Sequence, residues 1–183
     1  MCPDPLSSDG GRSETAPGTD AVVIVTGGSH GAGREVVRTL ARRGYAIVVV
    51  YLDDQTRAEA TVEEVFAADG TAVAVRADVS DDLDVERLFD ETIAAFGRVD
   101  AVVHTTMRSA SVLYQHALRH LHRGSAIVSV STAEEIRPTL AQQLRERDIT
   151  IIGLAPAVED AGADRGLADL IPFLDRRRRR PTR

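Results

Sequence analysis

The sequence predicts an α/β fold, a doubly wound parallel sheet of about six strands with helices on both faces. Three observations predict it. Short β-branched runs alternate with longer segments whose apolar residues recur at helical spacing. A glycine-rich turn joins the first run to the first such segment, and 43% hydrophobic content over 183 residues is enough to bury one core in a single domain.

Taken in order, residues 1–20, "MCPDPLSSDGGRSETAPGTD", are rich in Pro, Gly, Ser and acidic residues and have no apolar period, so they read as a disordered tail. Cys2, the one cysteine, lies within it and cannot form an internal disulfide. The domain is expected over residues 21–160. Its strands are Val22–Thr26, Ile47–Tyr51, Ala72–Arg76, Ala101–His104, Ala126–Ser131 and Thr150–Leu154, all rich in residues that suit a pleated, buried surface. Between them, Ala32–Arg43, Gln55–Ala68, Asp84–Phe96, Ser109–His122 and Glu134–Arg147 carry the helical period. A helical crossover after every strand makes neighbouring strands parallel. Residues 161–183 add one short apolar patch, "LADLIPFL", and then "RRRRR".

No apolar run approaches the roughly 20 residues that span a bilayer, and the N-terminus has neither a basic opening nor an apolar signal core, so a cytoplasmic location without membrane contact is expected. The chain carries −6 overall, and the six arginines from Arg176 onward contribute +6, which leaves −12 on residues 1–175. A body that acidic repels phosphate backbones and argues against nucleic acid as a partner; the arginine run reads as a solvated tail.

The stretch "TGGSHGAG", Thr26–Gly33, follows a strand and opens a helix. Glycines there permit a tight turn, close approach to a pyrophosphate and close packing of helix on strand, while the free N–H groups of the helix start attract phosphate. The turn therefore points to a dinucleotide.

With "GYAIVVVYLDD", "AVRADVSD" and "FGRVDAVVHTT" added to this turn, residues 21–160 closely resemble the short-chain dehydrogenase/reductase family. The resemblance implies a Rossmann-like fold and NAD or NADP as cofactor. It assigns Gly27, Ser29, His30, Gly31 and Gly33, with Ala32 between the last two glycines, to the cofactor phosphates. Asp78 and Val79 match the residues that hold the adenine, where a carboxylate can accept from the exocyclic amine. Tyr51 stands at the end of the second strand, where the ribose is read, and Asp53 beyond it either contacts the ribose or is simply solvated. "VVVYLDD" resembles members that take NADP, and His30 offers a phosphate a positive partner, so the balance favours NADP over NAD. His104-Thr105-Thr106-Met107 corresponds to the family's asparagine-rich cofactor turn, and Pro156-Ala157 to the proline–glycine beside the nicotinamide.

The catalytic half departs from the family. Its members reduce a carbonyl with a tyrosine as proton donor, a lysine four residues on that lowers the tyrosine's pKa, and a serine that polarises the carbonyl. All 22 basic residues here are arginines, so the chain has no lysine, and it has no asparagine. Tyr45, Tyr51 and Tyr114 do not fall on the catalytic position. The serine corresponds to Thr132, whose hydroxyl either polarises a carbonyl or caps the helix after it. From "AIVSVST" the sequence passes almost directly to "RPTLAQQLRERDITIIGLAPAVED", as though a segment of roughly 20 residues or more were missing, far beyond a loop adjustment.

The histidines suggest replacements for the lost acid. His116 and His120 lie one turn apart and would need a third ligand to hold a metal, for which the sequence offers no candidate; they read as a basic, solvated face. His104, at the cofactor-facing strand end, is better placed as a proton donor, with nothing in the sequence to fix its geometry. Two functions compete. One is a degenerate member that binds NAD(P)(H) without ordinary turnover, as a partner, regulator or cofactor sensor. The other is an oxidoreductase on a small carbonyl substrate whose acid comes from Thr132, His104, the substrate or another subunit. Pro138 would interrupt the last helix unless it sits in the first turn, which weakens the family's four-helix interface and implies a monomer or a pairing with a full-length relative.

Overall fold

The five residues Val22–Thr26 are buried on every side, and the parallel strands beside them explain why. The computed structural model describes residues 21–106, 108–129, 138–153 and 172. The expectations for the tail 1–20, for Thr132 and Pro156, and for the segment 161–183 with its arginine run fall outside the described residues, Pro172 excepted. The described elements follow in strict alternation: β1 (Val22–Thr26), α1 (Gly31–Ala41), β2 (Ala46–Tyr51), α2 (Gln55–Ala67), β3 (Thr71–Arg76), α3 (Asp82–Phe96), β4 (Ala101–His104), α4 (Ser111–His120), β5 (Ala126–Ser129), α5 (Pro138–Glu146) and β6 (Thr150–Gly153).

All six strands are parallel, in the order β3-β2-β1-β4-β5-β6. The chain builds outward from β1 to β3, then crosses to the other side of β1 and builds from β4 to β6. The crevice beyond the carboxyl ends of β1 and β4 is thus the switch point at which this architecture binds ligands.

Period-2 alternation feeds two cores. Val23, Val25, Ile47 and Val49 pack against Val36, Val37 and Leu40 of α1 and Ala58 and Val65 of α2. Val22, Ile24, Val48 and Val102 face the other way, against Leu88 and Phe89 of α3, Leu113 of α4 and Leu144 of α5. Apolar residues on both faces are what helices on both faces require. Local chemistry sets the ends. Asp54 accepts from the Arg57 N–H at the start of α2 and Asp81 from the Asp84 N–H at the start of α3, and α3 stops at Gly97 with φ 78°. Pro138 is the first described residue of α5, which runs on without interruption to Glu146.

Asp100 fastens β1 to the turn before β4. It is buried, and its Oδ2 accepts from the Val22 N–H at 2.8 Å, while Arg98 and His122 flank its other oxygen. Burial alone would raise its pKa; hydrogen bonds from His122, Arg98 and the Val22 N–H outweigh that and hold the carboxyl below its ordinary range.

The α4 histidines correct the expectation of a solvated face. His116 is only 1% exposed, and its Nε2–H donates to Asp82 across the α3–α4 contact at 2.9 Å. His120 stacks on Phe89 with ring centroids 5.0 Å apart, and burial pushes its pKa down. The spacing does place both rings on one helical face, but that face packs on α3.

Candidate functional site

The turn after β1 is held open for a ligand from below and from both sides. Gly27 adopts φ +71°, and a Cβ there would stand 2.6 Å from Thr106 Cγ2 and 2.8 Å from Thr105 Oγ1. The Gly27 N–H donates to the Val50 carbonyl, and the Thr105 hydroxyl donates to the Thr26 carbonyl at 2.6 Å, so the ends of β2 and β4 both grip the turn. A Cβ on Gly33 would lie 2.2 Å from the Gly27 carbonyl oxygen, which means that the first turn of α1 rests directly on the loop backbone. Gly31, at φ +51°, has open space where its Cβ would be. No side chain caps α1 at His30, and no carboxylate stands in its first turn. The first-turn N–H groups at Gly31, Ala32 and Gly33 are therefore left for an anion.

Beside this turn an open cleft of about 230 Å³ runs across the carboxyl ends of the strands. Thr26, Gly27, Ser29 and His30 form one wall; Tyr51, Asp53, Asp54 and Arg57 form the β2 side; Asp78 and Val79 close the β3 side; Thr106 and Arg108 enter from beyond β4. Of the residues singled out from the sequence, Gly27, Ser29, His30, Tyr51, Asp53, Asp78 and Val79 are brought together here. Gly31, Ala32 and Gly33 belong to the adjoining helix start and are not part of the lining.

His104 is elsewhere. It is 1% exposed beneath the cleft. Its Nε2 lies 3.0 Å from the Arg108 carbonyl, which can only accept, so Nε2 carries the hydrogen; Nδ1 then accepts from the Thr26 hydroxyl at 2.8 Å. Both ring nitrogens are engaged within the protein, and neither is left to point into the cleft. Tyr114 packs edge-on against His104, buried with it.

Asp78 is the most preorganised acid of the cleft. Its Oδ1 accepts from the Ser80 N–H and hydroxyl at 2.9 and 2.6 Å, and its Oδ2 accepts from Arg108 at 2.9 Å. The Ser80 bonds chiefly, with the Arg108 charge behind them, hold its pKa below the ordinary carboxylate value. Asp54 accepts from both the Arg57 N–H and its guanidinium, leaving Asp53 exposed at the rim. Sequence reasoning missed Arg57, whose placement depends on the cap of α2, and Arg108, which follows the turn after β4 and meets an acid 30 residues away.

A turn with no room for a side chain at Gly27 or Gly33, a helix start open to an anion and a cleft at the switch point are the parts of a dinucleotide site, and the residues present fit one. The short chain dehydrogenase family model matches residues 21–121 of this sequence. The chain belongs to that family. Its relatives include an uncharacterized oxidoreductase of Methylorubrum extorquens, 30% identical over a 145-residue match that covers 66% of this chain and 58% of the relative. A 3-oxoacyl-[acyl-carrier-protein] reductase of Staphylococcus aureus is 30% identical over 144 residues, 76% of this chain and 57% of that enzyme. The chain thus spans less than three-fifths of the length of these two short-chain dehydrogenase relatives. Among solved structures, a short chain dehydrogenase from Burkholderia cenocepacia in complex with NADP has the same fold, with a TM-score of 0.68 at 24% identity over 85% of this chain and 91% of that one. Among the described residues no helix is long and apolar enough to cross a membrane.

Proposed function

We propose that this chain is an NAD(P)(H)-binding short-chain dehydrogenase that holds the dinucleotide without ordinary ketoreductase turnover, a pseudoenzyme acting as partner, regulator or cofactor sensor. One observation carries the reading. Between β5 and α5, the stretch that leads to the catalytic pair in the family, the chain has only residues 130–137, "VSTAEEIR", which contain neither tyrosine nor lysine. Whatever course those residues take, they supply no phenol and no ammonium. The other tyrosines do not make up for this. Tyr45 and Tyr114 are buried, and Tyr51 ends β2, three strand positions from β5.

A bound NAD(P)H would supply a hydride. The residues that would hold it are the first-turn N–H groups of α1 at the pyrophosphate, Tyr51 and Asp53 at the ribose, and Asp78 and Val79 at the adenine. Thr132 could orient a carbonyl there without donating a proton to the alkoxide. Of the two dinucleotides we favour NADP, because Arg57 and His30 both line the cleft and can meet a 2′-phosphate, and because the Burkholderia cenocepacia relative was solved with NADP. We propose a cytoplasmic location for this chain. A full-length relative is the partner we favour for assembly.

Fluorescence titration of the purified protein with NADPH and with NADH tests the binding half. Saturable binding of both is expected, tighter for NADPH, with the difference removed in Arg57→Ala. Absence of binding to either would overturn the proposal.

A further inference from the structure

Resting on the dinucleotide reading of the cleft, the geometry points to Arg108 as an adenine-contacting residue, a cationic cover laid across the base and held in place by Asp78. Asp78 follows β3 and Arg108 follows β4, and the strand order sets β2 and β1 between them. At about 4.8 Å per strand the two elements lie three spacings, roughly 14 Å, apart. Their 2.9 Å ion pair therefore spans the mouth of the cleft, closed by the long side chain of Arg108. Arg108 is half exposed, 49%, so the guanidinium is not buried in the protein and keeps a face available to a ligand.

The state of Asp78 dictates where a base would lie. A carboxylate offers about four acceptor positions. Three are filled: two on Oδ1 by Ser80, and one on Oδ2 by Arg108. The remaining position is on Oδ2, next to the guanidinium. A purine amine that takes it brings its ring against Arg108. The neighbouring lining, Leu52, Ala77 and Val79, is apolar. An apolar lining beside a planar cation suits the π faces of a purine, whereas a sugar or a phosphate gains little from the apolar residues. Because the Ser80 bonds fix the carboxylate and the carboxylate fixes Arg108, the cover is in place before the ligand arrives.

The test is the affinity for ADP-ribose, which carries the adenine half of the dinucleotide and no nicotinamide, measured by calorimetry on the full chain. The variants are Arg108→Met, which keeps an apolar stem, and Arg108→Lys, which keeps the charge and loses the plane. Arg108→Met should weaken ADP-ribose about tenfold, the middle of the cation–π range, and Arg108→Lys should recover only part of that loss. Thermal melting of the free variants should match the parent, since an exposed ion pair contributes little to stability. Unchanged affinity in Arg108→Met, or full recovery in Arg108→Lys, would overturn the inference while parent binding leaves the dinucleotide reading intact. A parent that binds neither ADP-ribose nor NADPH would overturn both.

Discussion

Replacing Gly33 by alanine sets two effects of opposite sign against each other. Gly33 is inside α1, where alanine is favoured over glycine by about 1 kcal/mol on helix propensity alone. The added Cβ, however, would stand 2.2 Å from the Gly27 carbonyl oxygen, 2.7 Å from its carbon and 2.7 Å from Thr105 Oγ1. Two of those atoms are backbone, and their turn is gripped by hydrogen bonds to Val50 and Thr105, so no flexible side chain can yield. Overpacking of this kind costs about 3 kcal/mol, the upper part of its usual range. The net is a loss of about 2 kcal/mol, a fall in melting temperature of roughly 4–8 °C for a domain of this size. The same displacement moves the first-turn N–H groups away from the phosphates, and weakening one charge-assisted hydrogen bond by about 1.5 kcal/mol reduces NADPH affinity about tenfold. Gly31→Ala is the control. Its Cβ meets open space, so it pays only for its φ of +51°, roughly 1–2 kcal/mol, and leaves the loop contacts in place. Thermal melting and NADPH titration of both variants read these effects. A Gly33→Ala protein as stable as the parent, with unchanged affinity, would refute the close contact between helix and loop.

Asp100→Asn should cost about 2 kcal/mol at neutral pH through the lost bonds to a charged acceptor. Since the folded pKa of Asp100 lies below that of the unfolded chain, its contribution is complete above about pH 4 and is lost as pH falls through the folded value. The variant's acid unfolding should therefore be less steep, and an unaltered acid profile would contradict this. His116→Leu removes a buried Nδ1 that has no hydrogen-bond partner, and its other partner, Asp82, is exposed, so chemical denaturation should give a stability within about 1 kcal/mol of the parent or above it. A larger loss would mean that the His116–Asp82 pair is a main tie between α3 and α4. Light scattering of the isolated chain should report a monomer, because the described α5 offers only the nine residues Pro138–Glu146 to the family's four-helix interface, and a stable homotetramer would count against this.

The strands were legible because short β-branched apolar runs leave little choice: β1 and β4 begin and end where the runs do, and β2 and β3 each gain one residue at the start. Helix ends were read to within a few residues, with Asp54 and Asp81 setting two starts by side-chain capping. The phosphate turn was legible because only glycine tolerates a φ of +71° beside Thr105 and Thr106 at Gly27. What escaped the sequence depends on which helix packs on which. His116 looks like a surface residue until α3 is laid over α4, and His104 looks like a candidate acid until the Arg108 carbonyl and the Thr26 hydroxyl are found at its two nitrogens. Arg108 itself was invisible for a related reason: nothing local says that a residue after β4 will reach one after β3 across two intervening strands.

The central claim is that the cleft holds NAD(P)H while the chain lacks the proton donor for ordinary reduction. The most direct test is NADPH oxidation at saturating cofactor with a panel of simple ketones and aldehydes, run on the parent and on Gly31→Asp. That variant puts a charge where the helix start meets phosphate. The loss of a general acid typically costs about 10²–10⁴ in rate. The parent should therefore bind NADPH yet turn over at less than about one hundredth of a full-length relative's rate. Reduction at that relative's rate, abolished in Gly31→Asp and so not due to a contaminant, would contradict the account.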